Sequence, residues 1–384
     1  MRHRLLHVIT PGDHFSPRTG SAIPTVVDGL SRATPADEPR PAVLVARGTY
    51  PDRYDSADAV EYDQAAGHRR DRYLDAALAR AGLPRIGIRG EFRAVFRDQH
   101  DWEPSIVLAH NAPQAVPLVD ARRHLSVLYA HNLLFRAYRR REAARVLAPA
   151  AAIVCVSEAL AEQTAAFLPD ALHSRLRVVR NGVDAAAFAR PGHARRGDVL
   201  RIAFIGRMIP DKGADILLEA VRRLDRPDIH LTLVGASGFD VNDPLTPFEQ
   251  EVRRRARALG DRVTVRPFVP RPEVATALRQ ADVVVVPSRW PEPFALTVLE
   301  GMAAGAAVVG SEIGGIPESL RGTGILVPPG DASALAEALA ALADDDVLLE
   351  DTARACLAHA ERHDWALARA ELMRVLDDAA SGAP

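Results

Sequence analysis

The sequence contains one lysine, two cysteines and no long apolar run. Lys212 is its only lysine, although lysine and arginine together number 48 among 384 residues. This bias, together with abundant alanine, is typical of a high-GC genome and does not indicate a function. Cys155 and Cys356 lie far apart in apolar surroundings. We therefore expect buried free thiols in a reducing cytoplasm.

No apolar run reaches 18 residues, so we expect neither a signal peptide nor a membrane span. We also expect a cytoplasmic location. The net charge of −2 gives no argument for nucleic acid as a partner. Hydrophobic residues at 48% and charged residues at 26% indicate a globular protein. A chain of 384 residues exceeds one typical core, so two domains are expected.

The most informative stretch runs from residue 281 to residue 305. An apolar run, Ala281 to Pro287, predicts a buried parallel strand. Two prolines then precede a segment with helical periodicity. A proline destabilises a helix least at the helix start. The first unpaired N–H groups of this helix are predicted at Phe294, Ala295 and Leu296. Such a helix start attracts an anion through its free donors and the positive end of its dipole.

Two glutamates flank this predicted anion site. Glu292 lies at its mouth, and Glu300, eight residues later, is expected about two turns up the same helix and on nearly the same side. A carboxylate beside a phosphate is favourable only if it accepts hydrogen bonds from ligand hydroxyls. A nucleotide sugar offers such hydroxyls on its sugar and on its ribose, with a diphosphate between them. The alternative is an ordinary unit in which Glu292 caps the helix and Glu300 is a surface residue.

The surrounding sequence, EPFALTVLEGMAAG, resembles the signature of family 4 glycosyltransferases. The resemblance extends from about Val154 to Trp365, and it is weaker before that. It implies an α/β protein with the GT-B fold, in which two Rossmann-like domains face across a cleft. It also implies that a C-terminal helix, at about 366–384, crosses back to the N-terminal domain.

On this basis we expect an acceptor-binding domain over 1–188 and a nucleotide-sugar-binding domain over 199–365. The polar stretch 189–198, rich in proline and glycine, is predicted to be the linker. The polar segment from Gly48 to Arg72 is predicted to be irregular and to lie over the acceptor side.

A second anion site is predicted where a strand ends in Gly206-Arg207 and Lys212-Gly213 opens a helix. Two cations beside a positive helix end suit a diphosphate, because arginine offers a bidentate fork and lysine a point charge. The family has the same G-R…K-G pattern. The alternative is a pair of surface charges on a loop.

Other donor contacts are implied by the resemblance. Gly20 matches the first of two adjacent family glycines between the donor diphosphate and the acceptor, and Ser21 replaces the second. Gly235 ends another strand of the second domain. The stretch ending at Phe268 and Val269 resembles the strand that holds the nucleobase through backbone contacts.

Two strands end in His-Asn, at His110 and His131. A histidine at the carboxyl end of a parallel strand faces the ligand crevice of such a sheet. By resemblance, the histidine of the earlier strand reaches the transferred sugar, and we place that role on His110, with His131 as the second choice. The alternative is that either ring is a hydrogen-bonded structural histidine.

The resemblance implies a retaining transferase, and UDP-sugar is the favoured donor. The predicted catalytic set is His110, Arg207, Lys212 and Glu292. We expect front-face attack, since no nucleophile is apparent. No metal or cofactor is expected, because no Asp-x-Asp marks a GT-A site and no G-x-G-x-x-G follows the first strand.

The favoured acceptor is a small polar hydroxyl compound, such as a sugar or aminocyclitol of an antibiotic pathway. The alternatives are a cell-envelope glycolipid or polysaccharide, a GT-B epimerase or phosphorylase, and a nucleotide-sugar-binding protein without activity. A basic helix predicted over Leu133 to Glu142 offers a membrane contact through Leu133–Arg141, which is not favoured over a solvated face.

Overall fold

The structure, a computed structural model, describes residues 3–64, 69–80, 85–190, 197–238 and 244–382. The chain divides into two compact units. The first unit contains Met1–Pro17, Ser21–Asn181 and Trp365–Pro384, and the second contains Arg18–Gly20 and Gly182–Asp364.

The first unit is built on a seven-stranded sheet in the order β3-β2-β1-β4-β5-β6-β7. Its strands are β1 (Arg4–Val8), β2 (Ala42–Ala46), β3 (Asp58–Tyr62), β4 (Ser105–His110), β5 (Leu125–Ala130), β6 (Ala152–Cys155) and β7 (Leu176–Val178). All neighbouring strands are parallel. Because crossover helices cover both faces of a parallel sheet, its central strands are continuous apolar runs. Every residue of β2 is buried.

The second unit has a six-stranded sheet in the order β10-β9-β8-β11-β12-β13. Its strands are β8 (Leu200–Ile205), β9 (Ile229–Val234), β10 (Val263–Arg266), β11 (Val283–Val286), β12 (Ala307–Ser311) and β13 (Ile325–Val327). These strands are also parallel throughout. The strand order reverses between β8 and β11, and ligand crevices in such sheets open at the carboxyl ends of strands near this reversal.

The helices of the two units connect these strands. In chain order they are α1 (Ala22–Arg32), α2 (Arg69–Arg80), α3 (Ile86–Val95), α4 (Arg140–Leu147), α5 (Glu158–Ala165), α6 (Ala185–Phe188), α7 (Ala214–Leu224), α8 (Pro247–Ala258), α9 (Arg271–Arg279), α10 (Leu296–Ala303), α11 (Ile316–Leu320), α12 (Ala332–Asp344), α13 (Asp346–Glu361) and α14 (Trp365–Ala380).

The last helix, α14, belongs to the first unit and packs on α1. A Cβ atom at Gly29 of α1 would lie 2.2 Å from the ring of Trp365, so only glycine permits this close approach. Further along α14, Arg369 donates from Nη2 to Glu38 Oε2 at 2.6 Å, and both side chains are buried. This confirms the expectation that the C-terminal helix returns to the N-terminal domain.

The division between the units falls earlier in the chain than the predicted boundary at residue 188. Residues 182–188 lie with the second unit because the short helix α6 packs against α9 and α10. Arg190 continues this attachment by donating from Nε to the carbonyl of Arg279 at 2.7 Å. Of the predicted linker 189–198, residues 191–196 lie outside the described residues.

Two local predictions in the first unit are wrong. The basic segment at 133–142 is not one helix, because a 3-10 turn at Phe135–Ala137 precedes α4, which begins at Arg140. The ring of Phe135 is fully buried, so the apolar side of this segment packs inside the unit. The segment Gly48–Arg72 is not wholly irregular either, since it contains edge strand β3 and the start of α2. Its residues 65–68 lie outside the described residues.

Within the described ranges, no helix combines the length and the apolar character needed to cross a bilayer.

Both cysteines are free thiols and completely buried, as expected from the sequence. Burial raises the pKa of Cys155 to about 12 and also raises the pKa of Cys356. Because the thiolate is the reactive form, neither residue should react with dithionitrobenzoate in the native protein. Both should react in guanidinium chloride, where burial is lost. Stoichiometric release of the coloured thiolate from native protein would contradict this expectation.

Candidate functional site

A pocket opens in the second unit at the carboxyl ends of β8, β9 and β10. The first turn of α10 supplies another wall through Thr297, and Glu300 lies one turn further on. Seven of the predicted site residues line this pocket, namely Gly20, Gly206, Arg207, Gly235, Phe268, Val269 and Glu300.

Glu300 is not a surface residue. It is 3% exposed, and Arg271 Nη2 donates to its Oε1. Arg271 is the first residue of α9, and its guanidinium lies 5.7 Å above the centroid of the Phe188 ring. The pocket therefore contains a buried carboxylate with an arginine partner, and both side chains belong to its lining.

Glu292 is a second buried carboxylate that pairs with a partly exposed cation. Its side chain is 7% exposed, and its Oε1 accepts from Lys212 Nζ at 2.6 Å and from Ser288 Oγ at 2.7 Å. The sole lysine of the chain thus meets the glutamate at the mouth of the predicted anion site. Neither Glu292 nor Glu300 matches the alternative of a helix cap or a surface residue.

The loop that carries Lys212 is held by Gly213. This residue has φ +73°, and a Cβ atom there would lie 1.9 Å from the carbonyl oxygen of Pro287. It is the C-cap of the 3-10 turn Pro210–Lys212 and the N-cap of α7, so the helix start lies where the Lys-Gly pattern predicts it. Close packing against the end of β11 therefore requires glycine and brings Lys212 to Glu292.

The helix after Glu292 begins later than predicted. Helix α10 starts at Leu296, and Ala295 precedes it as the N-cap with φ +62°. Glu292 consequently lies outside the helix, and the expectation that both glutamates share one helix is wrong. The Glu292 carbonyl accepts from the N–H of Gly315 at 2.7 Å, which anchors the turn. Phe294 points into the core and is 4% exposed, so its side chain does not face a ligand.

The predicted cation Arg207 lines the pocket and is exposed. Its Nε donates to the carbonyl oxygen of Ser237 at 2.9 Å, which fixes the base of the guanidinium beside the loop after β9. Only glycine fits at position 235 beside the end of β8, because a Cβ atom on Gly235 would lie 1.9 Å from the carbonyl oxygen of Gly206. Lys212 is not among the residues that line this pocket.

Ser21 fits its position without the freedom of a glycine. It is the N-cap of α1 with φ −67°, a value open to any residue, and its Oγ donates to Asp13 Oδ2 at 3.2 Å. Helix α1 begins at Ala22, directly after Ser21. The replacement of the second family glycine therefore causes no backbone strain.

His110 is fully buried at the end of β4, and both of its ring nitrogens contact other histidines. Its Nε2 lies 2.9 Å from His7 Nδ1, and its Nδ1 lies 2.8 Å from His131 Nε2. Burial lowers the pKa of His7 and of His131 to about 3, and lowers that of His110 as well. All three rings are therefore neutral near pH 7.

His131 is the terminal ring of this chain of three. Its backbone N–H donates to Asn111 Oδ1 at 2.7 Å, and Asn111 adopts φ +51° to make that contact. Its Nδ1 makes no hydrogen bond to the residues that the structure describes. Because His110 has no ring nitrogen left for a ligand, we move the predicted sugar contact from His110 to His131, the second choice.

Sequence reasoning missed Arg271, Thr297 and Ser288. A signal for Arg271 was available, since an arginine at the first position of a helix is opposed by the helix dipole and needs an anionic partner. Ser288 directly follows the end of β11 and is 1% exposed, but its role depends on a side-chain contact that sequence spacing cannot show.

No group of three histidine, cysteine, aspartate or glutamate side chains in the described part of the chain is placed to hold a metal ion. The metal independence of the protein stays a prediction.

Two family models match the chain: "Glycosyltransferase Family 4" over residues 23–187 and "Glycosyl transferases group 1" over residues 199–345. A "D-inositol 3-phosphate glycosyltransferase 1" of Catenulispora acidiphila is 31% identical over 340 residues, which cover 79% of this chain and 78% of that protein. A "D-inositol 3-phosphate glycosyltransferase" of Corynebacterium glutamicum is 33% identical over 249 residues. This second match covers 58% of each protein, so the chain spans under two thirds of that relative's length.

The architecture is also found in solved structures. That of Anabaena HepE in complex with UDP and glucose aligns with a TM-score of 0.73 at 18% identity, covering 98% of this chain and 100% of that one. At this identity the match shows the fold alone. With two parallel sheets in two units, the fold is the GT-B fold that the resemblance implied. The chain belongs to the family 4 glycosyltransferases.

Proposed function

We propose that the protein transfers a sugar from a nucleotide diphosphate sugar to a hydroxyl of a polar cyclitol-type acceptor, with retention of the anomeric configuration. The observation that carries the donor assignment is the pair of buried carboxylates in the second unit, each matched by one cation. Buried carboxylates are costly unless hydrogen-bonded, and polyol hydroxyls are suitable donors to them. In this proposal Glu300 holds the ribose and Glu292 the transferred sugar.

The proposed chemistry needs positive charge where the diphosphate leaves. The acceptor oxygen bonds to the anomeric carbon on the face from which the diphosphate departs, and the bond from that carbon to the phosphate oxygen breaks. The acceptor proton passes to the departing phosphate oxygen. Arg207, Lys212 and the free N–H groups at the start of α10 stabilise the negative charge that develops.

The proposed donor is a UDP-sugar, and a solved neighbour that holds UDP and glucose supports this choice. The acceptor class rests on the two relatives, both of which are named D-inositol 3-phosphate glycosyltransferases. Aminocyclitols of antibiotic pathways belong to the same chemical class of polyhydroxylated rings. We therefore propose a cyclitol or its phosphate ahead of a lipid or polysaccharide.

Calorimetric titration with UDP, GDP, ADP and dTDP tests the donor assignment. We expect UDP to bind most tightly, and we expect Glu300→Gln to weaken it, since the amide keeps one acceptor oxygen but loses the charge. Mass spectrometry of reactions with UDP-sugars and a panel of cyclitols, cyclitol phosphates and lipids then tests the acceptor. Absence of binding to all four nucleotides would reject the proposed donor class.

Activity should survive chelation. Because cations of the chain and a helix start are proposed to meet the diphosphate charge, EDTA should leave the transfer rate within about twofold of its starting value, as expected for electrostatic stabilisation by the protein itself. Rates would be measured after dialysis against EDTA and again with added Mg²⁺ or Mn²⁺. Complete loss with EDTA and recovery with metal would refute a metal-free mechanism.

A further inference from the structure

The three histidines His7, His110 and His131 form a chain whose protons are coupled. A neutral imidazole has one N–H donor and one bare nitrogen acceptor, so each N–H···N contact in the series fixes which nitrogen of the next ring carries the proton. Only two arrangements satisfy both contacts. In one, His131 carries its proton on Nδ1, and in the other, Nδ1 of His131 is bare.

The environment of His7, at the other end of this series of three histidines, distinguishes the two arrangements. His7 Nε2 is buried and has no hydrogen-bond partner among the described residues. Arg369 of α14 is 4% exposed, and its Nε and Nη1 are likewise buried without such a partner. After burial, the charge of Arg369 is the next cause that lowers the pKa of His7. An N–H at His7 Nε2 would be a buried donor without an acceptor among the described residues, and the positive charge of Arg369 disfavours it further, so Nε2 of His7 should be bare.

We propose that the contacts from His7 through His110 hold His131 as its Nδ1–H tautomer, with the charge of Arg369 favouring this direction. His7 Nδ1–H donates to His110 Nε2, His110 Nδ1–H donates to His131 Nε2, and His131 therefore keeps its proton on Nδ1. The ring presents a neutral N–H donor, suited to a hydroxyl or carbonyl oxygen of a substrate. His7, His110 and Arg369 act as positioning residues in strands and a helix of the same unit. That His131 meets the substrate rests on the proposed function, whereas its tautomer does not.

Long-range ¹H–¹⁵N NMR of histidine side chains tests this directly, because a protonated ring nitrogen and a bare one have well-separated shifts. The protein would be labelled with ¹⁵N-histidine, and the His131 signals would be assigned by their loss in His131→Gln. We expect the Nδ1–H tautomer in the wild-type protein from pH 6 to pH 8. Finding the proton on Nε2 of His131 would overturn the proposal.

A double variant tests the role of Arg369 separately. Glu38→Gln with Arg369→Met removes the cation without leaving a buried carboxylate unpaired, and Glu38→Gln alone is the matched control. The double variant should gain a measurable population of the Nε2–H form of His131, and the control should not. A double variant that keeps only the Nδ1–H form would show that Arg369 does not favour this direction.

Should the double variant not fold, the wild-type spectrum still tests the direction of the chain. The readout is also independent of turnover. An Nδ1–H tautomer in a protein without transferase activity would support this inference while rejecting the proposed function.

Discussion

Lys212→Ala is expected to lower kcat/KM by roughly 10²-fold or more, about 3 kcal/mol of transition-state stabilisation. The reason is that Lys212 is proposed to meet charge that grows on the departing diphosphate, an interaction stronger in the transition state than in the ground state. Steady-state kinetics with the donor and acceptor measure this loss. Activity within about threefold of the wild type, in folded protein, would refute the assignment.

The ion pair with Glu292 complicates this experiment and also provides its control. Removing the lysine leaves a buried carboxylate that has lost its cation and keeps the hydrogen bond from Ser288, and this destabilises the fold. Lys212→Ala combined with Glu292→Gln removes that carboxylate charge. We expect the double variant to recover Tm, but its kcat/KM should stay well below that of Glu292→Gln alone, which keeps the cation. Equal kcat/KM in these two variants would show that Lys212→Ala lost activity only through unfolding.

Arg289→Ala is the matched cation control. Arg289 lies beside the same loop, where its Nη2 pairs with Asp215 Oδ1 at 3.0 Å and its Nε donates to the Pro210 carbonyl oxygen at 2.8 Å. Both contacts stay within the loop and the start of α7. Its removal should therefore change kcat/KM by far less than Lys212→Ala does. A loss equal to that of Lys212→Ala would show that the loop, and not the lysine charge, matters.

The central strands could be predicted from sequence because burial on both faces leaves an apolar run. The run Ala42–Ala46 coincides with β2, and the predicted strand at 281–287 contains β11. Strand β3 was missed for the converse reason. It is the edge strand of its sheet, and four of its five residues are exposed, so its sequence has no apolar run.

The types of the site residues could be predicted, but their pairings could not. Glu292 and Lys212 are 80 positions apart, and Glu300 and Arg271 are 29 apart. Helical spacing links only residues three or four apart, so it gives no information on either pair. The helix start was misplaced because Ala295 has a left-handed φ of +62°, which sequence patterns do not associate with alanine.

The sequence also could not show which of the two histidines keeps a ring nitrogen free for a ligand. Both His110 and His131 follow apolar strands and precede an asparagine, so their local patterns are the same. The difference lies in His7, a residue of β1, which pairs with β4 and so places His7 beside His110. Register between strands distant in sequence therefore decides which ring retains a nitrogen for a ligand.

The two glutamates should differ in what their removal weakens. Glu300→Ala should weaken the free nucleoside diphosphate and the intact donor alike, by about 1.5–3 kcal/mol, as for hydrogen bonds to a charged group. Glu292→Ala should leave affinity for the free nucleotide almost unchanged, because Glu292 is proposed to hold the sugar. Its loss should appear with the intact donor and in turnover. Glu312→Ala, which alters an exposed residue after β12, should change none of these values.

Calorimetric titration of each variant with the free nucleotide and with the intact donor tests this difference between the two glutamates. The ion pairs require one further comparison. Glu300→Ala releases Arg271, whose guanidinium can then attract a phosphate and mask part of the loss. Glu300→Ala combined with Arg271→Ala removes that attraction, so it should bind the free nucleotide no better than Glu300→Ala alone. Equal losses for Glu292→Ala and Glu300→Ala with free nucleotide would place Glu292 on the wrong side of the diphosphate.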